Sequence, residues 1–166
     1  MTTVMRLMRG AKFAAMIVAG LSLAACANNP NAMNNANAGL AGNAAPGSAQ
    51  DFVVNVGDRV FFESDSSELT PQSVATLEKQ AQWLGRYNRY AFTIEGHADE
   101  RGTREYNIAL GARRAQAVRD YLTTRGVESN RMRTISYGKE RPVAVCNDIS
   151  CWSQNRRSVT VLNASS

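Results

Sequence analysis

Two residues that commonly do chemistry, His97 and Asp99, lie two positions apart in the sequence. A serine, a histidine and an aspartate form the catalytic triad of many hydrolases. No serine of this chain lies in a strained elbow motif such as G-x-S-x-G, so the sequence does not predict a nucleophilic enzyme. We expect His97 to orient its own loop by hydrogen bonding.

Metal chemistry has little support in the sequence. Cys146, Cys151 and His97 supply three ligands where a structural zinc site has four, and the C-x4-C spacing of the cysteines is loose. We therefore predict no metal, no cofactor and no enzymatic activity.

The net charge of the chain argues against a nucleic-acid partner. The sequence has 19 basic and 14 acidic residues and a net charge of +5. Arg6, Arg9 and Lys12 lie in the first 25 residues, so the remainder carries 16 basic against 14 acidic residues. A net charge of +2 is too weak for the basic surface that nucleic-acid binding uses.

Residues 1–25 are typical of a secretory signal peptide. Their basic start is followed by an uncharged, mainly apolar run from Phe13 to Ala25. This run is shorter than the roughly 20 apolar residues that a membrane-spanning helix needs. A buried amphipathic helix is the alternative, but the run has no polar face.

Residues 23–26 read LAAC, which resembles the bacterial lipobox, and we predict that Cys26 is lipidated. The alternative is a plain signal peptide with an incidental cysteine. Ala27 stands where an aspartate would favour retention in the inner membrane, so the outer membrane is predicted.

Residues 27–50 hold 8 Ala, 7 Asn and no charge, which predicts a flexible tether after the lipidated cysteine or filler of no required length.

The remaining residues, 51–166, have the patterns of one domain. Thr70 and Pro71 predict a helix start, and Thr103 predicts a second one that stops before Gly126. The inner face of the second helix is predicted as Ile108, Ala112, Ala115, Val118 and Leu122.

Four segments alternate apolar and polar residues or are rich in β-branched residues, as strands are: 59–62, 91–95, 132–137 and 157–162. The element order is therefore β-α-β-α-β-β. This order predicts an α+β fold, an α/β sandwich with one mixed sheet covered on one face by two helices.

Residues 94–122 read IEGHADERGTREYNIALGARRAQAVRDYL and resemble the signature of the OmpA-like peptidoglycan-binding domain family. The family pattern is G-H-x-D-x-x-G after a strand, then Y-N-x-x-L-x-x-x-R-A-x-x-V on the following helix. Further matches are SYGKERP at 136–142 and NRR at 155–157. The resemblance covers about residues 55–163 and implies the C-terminal OmpA fold.

The resemblance implies a ligand, the diaminopimelate residue of the peptidoglycan stem peptide. That residue presents an ammonium and a carboxylate on one carbon, and by resemblance Asp99 receives the ammonium while Arg114 clamps the carboxylate. The planar fork of arginine suits a carboxylate because it donates two parallel bonds. Spacing alone does not bring the two side chains together, since Arg114 lies roughly 16 Å along the helix. The alternative for Asp99 is a loop residue that favours the helix N-terminus, and the alternative for Arg114 is a solvated charge on the helix.

Other pocket positions also carry over from the family. Asp65 matches an acidic residue that lines the pocket, and Ser64 stands where the family often has Phe, so an aromatic wall is expected to be missing. The resemblance further implies ligand contacts from Thr103, Asn107, Leu110 and Arg157. Their alternatives are a helix cap, a polar surface residue, a core residue and a charge at a strand edge.

The predicted export bears on the two remaining cysteines, and the family resemblance implies the partners. An exported domain lies where disulfides persist, which favours a Cys146–Cys151 bridge over two free thiols. By resemblance to lipid-anchored members of the family, the expected partners are peptidoglycan, the outer membrane, and TolB with other Tol proteins. The same resemblance implies a role in cell division. An OmpA-like lipoprotein of another envelope machine and a peptidoglycan hydrolase are the alternatives.

Overall fold

The computed structural model describes residues 44–163, in which helices alternate with strands. The elements are α1 (Ala49–Asp51, continuing as a π-helical turn, Phe52–Val56), β1 (Arg59–Phe61), α2 (Pro71–Arg86), β2 (Phe92–His97), α3 (Arg104–Thr124), β3 (Met132–Gly138), α4 (Ile149–Asn155) and β4 (Arg157–Leu162). The predicted signal peptide, the predicted lipidation site Cys26 and most of the predicted tether lie outside the described residues.

The four strands form one mixed sheet, as predicted. Its order is β1-β4-β2-β3, in which β2 and β3 are parallel and β4 runs antiparallel to β1 and β2. The long helix α3 is the crossover between the two parallel strands, because parallel neighbours cannot be joined by a tight turn. Both α2 and α3 contact the sheet and each other, which confirms the α+β fold.

The starts of the two long helices follow the predicted caps. Thr70 Oγ1 accepts a hydrogen bond from the Ser73 backbone N–H at 3.2 Å, and Pro71 is the first residue of α2. Thr103 Oγ1 accepts from the Tyr106 backbone N–H, also at 3.2 Å. The helical segments therefore begin where local sequence chemistry favours them.

The inner face of α3 differs from the prediction at one position. Ala112 is exposed, whereas Gly111 is buried against the sheet. Gly111 lies so close to Gly96 of β2 that a Cβ on either residue would overlap the backbone of the other. Glycine at both positions thus allows the helix to approach the end of β2, where the candidate site begins.

Two short helices, α1 and α4, are absent from the sequence prediction. In α1, Asp51 accepts a hydrogen bond from Trp83 Nε1 at 2.8 Å, so a tertiary contact docks this segment on α2. The backbone oxygen of Gly47 accepts from the Tyr90 hydroxyl at 2.8 Å. Contacts of the domain therefore reach ahead of residue 51, where the sequence places its start.

The core lies between the sheet and the two long helices. Its buried apolar residues are Phe52, Val60, Phe62, Leu77, Ala81, Trp83, Leu84, Phe92, Ile94, Ala115, Val118, Leu122, Val127 and Met132. None of the helices formed by residues 44–163 is both long and apolar enough to cross a membrane.

Candidate ligand-binding site

A cavity of about 380 Å³ lies where the loop after β1, the loop after β2 and the start of α3 meet. Its lining residues are Ser64, Asp65, Asp99, Arg101, Gly102, Tyr106, Asn107 and Leu110. Five residues that the sequence proposes for the site are in this set, whereas Arg114, Thr103 and Arg157 are not.

Asp99 is the buried acid of this cavity. Its side chain follows β2 and is only 6% exposed. Arg101 holds both carboxylate oxygens, with Nη2 at 2.6 Å from Oδ2 and Nε at 3.0 Å from Oδ1. Burial acts to raise the pKa of Asp99, but the hydrogen bonds and charge of Arg101, with the charge of Arg156, outweigh it and hold this pKa below its usual value. Asp99 is therefore an anion at neutral pH.

Arg114 lies behind the cavity and joins the two loops that form it. Its side chain is fully buried and donates to three backbone oxygens, those of Ser66 at 2.8 Å, His97 at 2.8 Å and Glu63 at 3.1 Å. Burial lowers the pKa of Arg114 to about 10, although nearby Asp99 acts to raise it. Arg114 is therefore charged at neutral pH and holds the acidic loops together.

Arg157, for which the sequence predicts a ligand contact, does not reach Asp99, whereas Arg156, which immediately precedes β4, does. Arg156 Nη1 lies 3.6 Å from Asp99 Oδ2. Arg157 is buried elsewhere, where Nη1 donates to the Asn155 backbone oxygen and Nη2 to that of Arg141. Adjacent side chains leave an extended chain on opposite sides, so only one of the two can face Asp99.

Thr103 and Asn107 serve the loop before α3. Thr103 caps the helix, and Asn107 Nδ2 donates to the backbone oxygens of Arg101 at 2.7 Å and Thr103 at 3.0 Å. Gly102, between Arg101 and Thr103, has a φ of 82°, a backbone conformation that favours glycine. Asn107 also lines the cavity, and Leu110 forms part of its wall one turn further on.

The loop after β1 supplies a polar wall. Ser64 Oγ accepts a hydrogen bond from Arg101 Nη2 at 2.7 Å. Asp65 adopts a left-handed backbone conformation, with φ 56°, and its carboxylate accepts from the Tyr106 hydroxyl. Tyr106 therefore fixes the second acid of the cavity.

An aromatic residue that sequence reasoning missed lies beside the cavity. Trp152, on α4, stacks on the guanidinium of Arg101, whose Cζ is 4.3 Å from the ring centroid. The indole N–H donates to the carboxylate of Glu100. Next to it, Cys151 is joined to Cys146 by a disulfide that closes the loop before β4. The match of residues 155–157 to the family pattern was the signal that this segment approaches the site.

His97 does not orient its loop through its ring. Neither ring nitrogen has a hydrogen-bond partner among residues 44–163, although Nε2 lies 3.5 Å from a Glu95 carboxylate oxygen. Burial, followed by the charges of Arg157 and Arg141, lowers the pKa of His97 to about 4. The ring is neutral at neutral pH, and only its backbone oxygen serves the site, as an acceptor for Arg114.

Metal-ligating residues and a second cavity remain to be compared with this site. Within residues 44–163, no group of three or more His, Cys, Asp or Glu residues could hold a metal ion. A larger cavity of about 470 Å³ lies beside β1 and α2, but its lining does not include Asp99 or Asp65. The smaller cavity, with its buried acid and adjacent arginines, is the better candidate for a ligand that carries both charges.

The chain belongs to the OmpA family, whose model matches residues 61–156. Its relatives are proteins called peptidoglycan-associated lipoprotein. The one from Rhizobium meliloti (strain 1021) is 68% identical over 149 residues, which cover 88% of this chain and 84% of the relative. The one from Pseudomonas putida is 39% identical over an alignment of 166 positions, and the match covers 92% of this chain and 97% of the relative. The family and these names confirm the prediction that this chain is not an enzyme.

A solved structure supports the same assignment. The crystal structure of the peptidoglycan-associated lipoprotein from Burkholderia pseudomallei has a TM-score of 0.66 and 39% identity, and covers 70% of this chain and 100% of that chain. The C-terminal domain of Helicobacter pylori MotB has a TM-score of 0.60 at 23% identity, covering 64% and 84%. The second likeness shows a shared fold alone.

Proposed function

We propose that this chain is a lipoprotein of the bacterial outer membrane whose periplasmic domain binds the diaminopimelate stem peptide of peptidoglycan without a covalent bond. The observation that carries the proposal is a buried anion, Asp99, in a cavity whose two loops are tied together by a buried cation, Arg114. The names of the relatives and the OmpA family match agree with a partner in the cell wall.

The chemistry of the pocket suits a zwitterion. Asp99 accepts the ammonium of diaminopimelate. Arg114 lies buried behind the cavity and has five N–H donors, of which three bind backbone oxygens; the proposal assigns the remaining two to the carboxylate on the same carbon of the ligand. A charge-assisted hydrogen bond contributes about 1.5–3 kcal/mol net, which gives a modest affinity for one site. Many copies on one membrane that face one polymer raise the overall affinity through avidity.

Other polar and apolar groups complete the proposed pocket. Asp65 adds a second acid near the ammonium, and Ser64, Asn107 and Leu110 shape the walls. Thr103 acts through the helix cap. The Arg157 side chain donates to the backbone oxygens of Asn155 and Arg141, so we assign it no ligand contact.

The anchor is proposed from the sequence. Acylation of Cys26 would hold the chain on the outer membrane, and the Ala- and Asn-rich residues that follow would let the domain reach the wall. Labelling of growing cells with radioactive palmitate tests this step: the wild-type chain should take up label, and a Cys26→Ala chain should not. Label on the variant would contradict the assignment of Cys26.

Whole-chain similarity to the peptidoglycan-associated lipoproteins also supports a place in the Tol–Pal system, which acts in envelope integrity and cell division. TolB is the proposed protein partner. Chemical cross-linking in cells should recover TolB with the wild-type chain, and recovery of the components of another envelope machine instead would contradict this assignment.

Co-sedimentation with isolated sacculi tests the binding function. The full chain, purified in detergent, should pellet with sacculi that contain diaminopimelate, and the Asp99→Asn chain should stay in the supernatant. Asp120→Asn is a matched control, because it removes the same charge from an exposed position on α3. Equal pelleting of wild type and Asp99→Asn would overturn the proposed site, and new soluble muropeptides over hours would favour a hydrolase.

A further inference from the structure

The chain enters the domain at the end of the sheet that lies opposite the candidate cavity. Gly47 is held beside the start of β2, because its backbone oxygen accepts from the Tyr90 hydroxyl at 2.8 Å. The strand β2, Phe92–His97, then runs about 20 Å to the loop that holds Asp99. The surface around the entry point is therefore the part of the domain nearest along the chain to the predicted anchor, Cys26.

Two apolar side chains are exposed on the segment that follows the entry point. Val53 and Val54 lie on the π-helical turn after α1 and are 47% and 39% exposed. Phe52, which precedes them, is fully buried against Trp83, with the ring centroids 4.9 Å apart. Since Phe52 packs the turn on the core, the two valines remain on its outer side.

Exposed cations of α2 and of the loop after it lie beside this turn. Lys79 and Arg86 line the groove between α2 and the turn. Arg89 lies at the entry point, where Nη2 donates to the Gly47 backbone oxygen at 2.5 Å. No salt bridge formed within residues 44–163 includes Lys79, Arg86 or Arg89. Their charges are therefore available to an external partner.

The acids of the same two segments make their contacts inside the domain. Asp51 Oδ2 accepts from Trp83 Nε1 and from the Gly47 backbone N–H, each at 2.8 Å. Glu78, the acid of α2, pairs with Arg125 at the end of α3. The surface beside the entry point is thus apolar at its centre and positively charged around it, and we call it the entry face: Val53, Val54, Lys79, Arg86 and Arg89.

We propose that the entry face docks on the anionic phospholipid surface of the membrane that carries the anchor. This inference rests on the proposed function, because lipidated Cys26 would keep the domain beside that surface. A random coil as long as residues 27–43 reaches roughly 20–25 Å, so the lipid headgroups stay within reach of the face. In the docked state the valines enter the headgroup boundary, and the cations contact lipid phosphates.

A second copy of the chain is a poorer occupant of the entry face. A two-fold contact would bring the same cations of both copies together, and like charges across an interface repel. An anionic membrane complements all of them, and each basic residue near such a surface strengthens binding roughly fivefold. Because Asp99 lies at the opposite end of β2, docking would hold the candidate cavity towards the cell wall.

Hydrogen–deuterium exchange of the full, acylated chain reconstituted in vesicles tests the proposal. One kind of vesicle is phosphatidylcholine alone, and the other is an equal mixture of phosphatidylcholine and phosphatidylglycerol. The backbone amides of residues 52–57 should exchange at least about threefold more slowly in the anionic vesicles, whereas those of α4 should not change. High salt should remove the difference, because it screens the attraction between the cations and the lipid phosphates.

A double variant and a matched control separate the role of the entry face from a general effect of charge. Lys79→Gln with Arg86→Gln should remove most of the protection, because the loss of two cations weakens binding about 25-fold. Arg104→Gln with Arg113→Gln removes two exposed positive charges from α3 and should keep the protection. Circular dichroism checks that each variant is folded.

The outcomes distinguish the docking from the anchor on which it rests. If the wild-type chain floats with the vesicles and residues 52–57 exchange equally in both kinds, the docking is overturned and the proposed function stands. Protection in both kinds that is lost when the chain is diluted in the membrane would assign the face to a second copy, and protection in isolated cell envelopes alone would assign it to a protein partner; either result overturns the docking. If the chain carries no lipid and does not float, the anchor and the docking both fail.

Discussion

Acidification from pH 7.5 to pH 5 should destabilise the domain through the ring of His97. The side chain is 1% exposed, and burial together with the charges of Arg157 and Arg141 lowers its pKa from 6.5 to about 4. The carboxylate of Glu95, 3.5 Å from Nε2, favours the charged ring, but the opposing effects are larger. Folding therefore excludes a proton that the unfolded chain binds.

The sign and size of the effect follow from the two pKa values. The stabilisation is complete above pH 6.5 and is lost progressively as the pH falls from 6.5 towards 4, because only the unfolded chain is protonated in that range. The whole effect is about 3 kcal/mol, and about 2 kcal/mol of it is lost by pH 5. The carboxyls of Asp99 and Asp51 have pKa values below 3.8, so their contributions are lost only at lower pH.

Urea unfolding at pH 7.5, 6 and 5 measures this loss. His97→Phe is the matched variant, because phenylalanine keeps a ring next to Tyr137, and the replaced nitrogens have no hydrogen-bond partner among residues 44–163. The free energy of unfolding of wild type should fall by about 2 kcal/mol between pH 7.5 and 5, and that of the variant should stay nearly constant. Parallel pH profiles would refute the assignment of a neutral, buried His97.

Three further changes test the packing and the caps by urea unfolding at neutral pH. Gly111→Ala should cost about 1–3 kcal/mol because its Cβ would overlap the backbone of β2, whereas Gly85→Ala, in open space on α2, should stabilise by about 0.5–1 kcal/mol; a neutral Gly111→Ala would contradict the close approach. Thr103→Ala should cost about 1 kcal/mol through the lost cap of α3, and Thr103→Ser should restore most of it. The double change Cys146→Ala and Cys151→Ala should cost about 2 kcal/mol, and an unchanged urea midpoint would show that the bridge does not constrain the unfolded chain.

The long helices and the strands were predictable because each has a local signal. Thr70 with Pro71, and Thr103, mark helix starts, and the strand segments alternate apolar and polar residues or are rich in β-branched residues over four to six positions. The strand order β1-β4-β2-β3 had no such signal, since it depends on pairing between segments far apart in the sequence. The short helix α4 has seven residues, too few for a clear helical period.

The limits at the site have the same origin. Asp99 and Asp65 could be placed by the family pattern, but their geometry could not. Trp152 lies 51 positions after Arg101 on a helix that the sequence does not predict, so the stacking of the two had no local signal. The choice between Arg156 and its neighbour depends on the face on which the last strand starts, and a shift of one residue reverses it.

A crystal structure of the domain with the diaminopimelate tripeptide tests the central claim most directly, because it locates both charges of the ligand. The account predicts the ligand ammonium within hydrogen-bonding distance of Asp99 and the ligand carboxylate within hydrogen-bonding distance of Arg114. A ligand in the larger cavity beside β1 and α2 would contradict it.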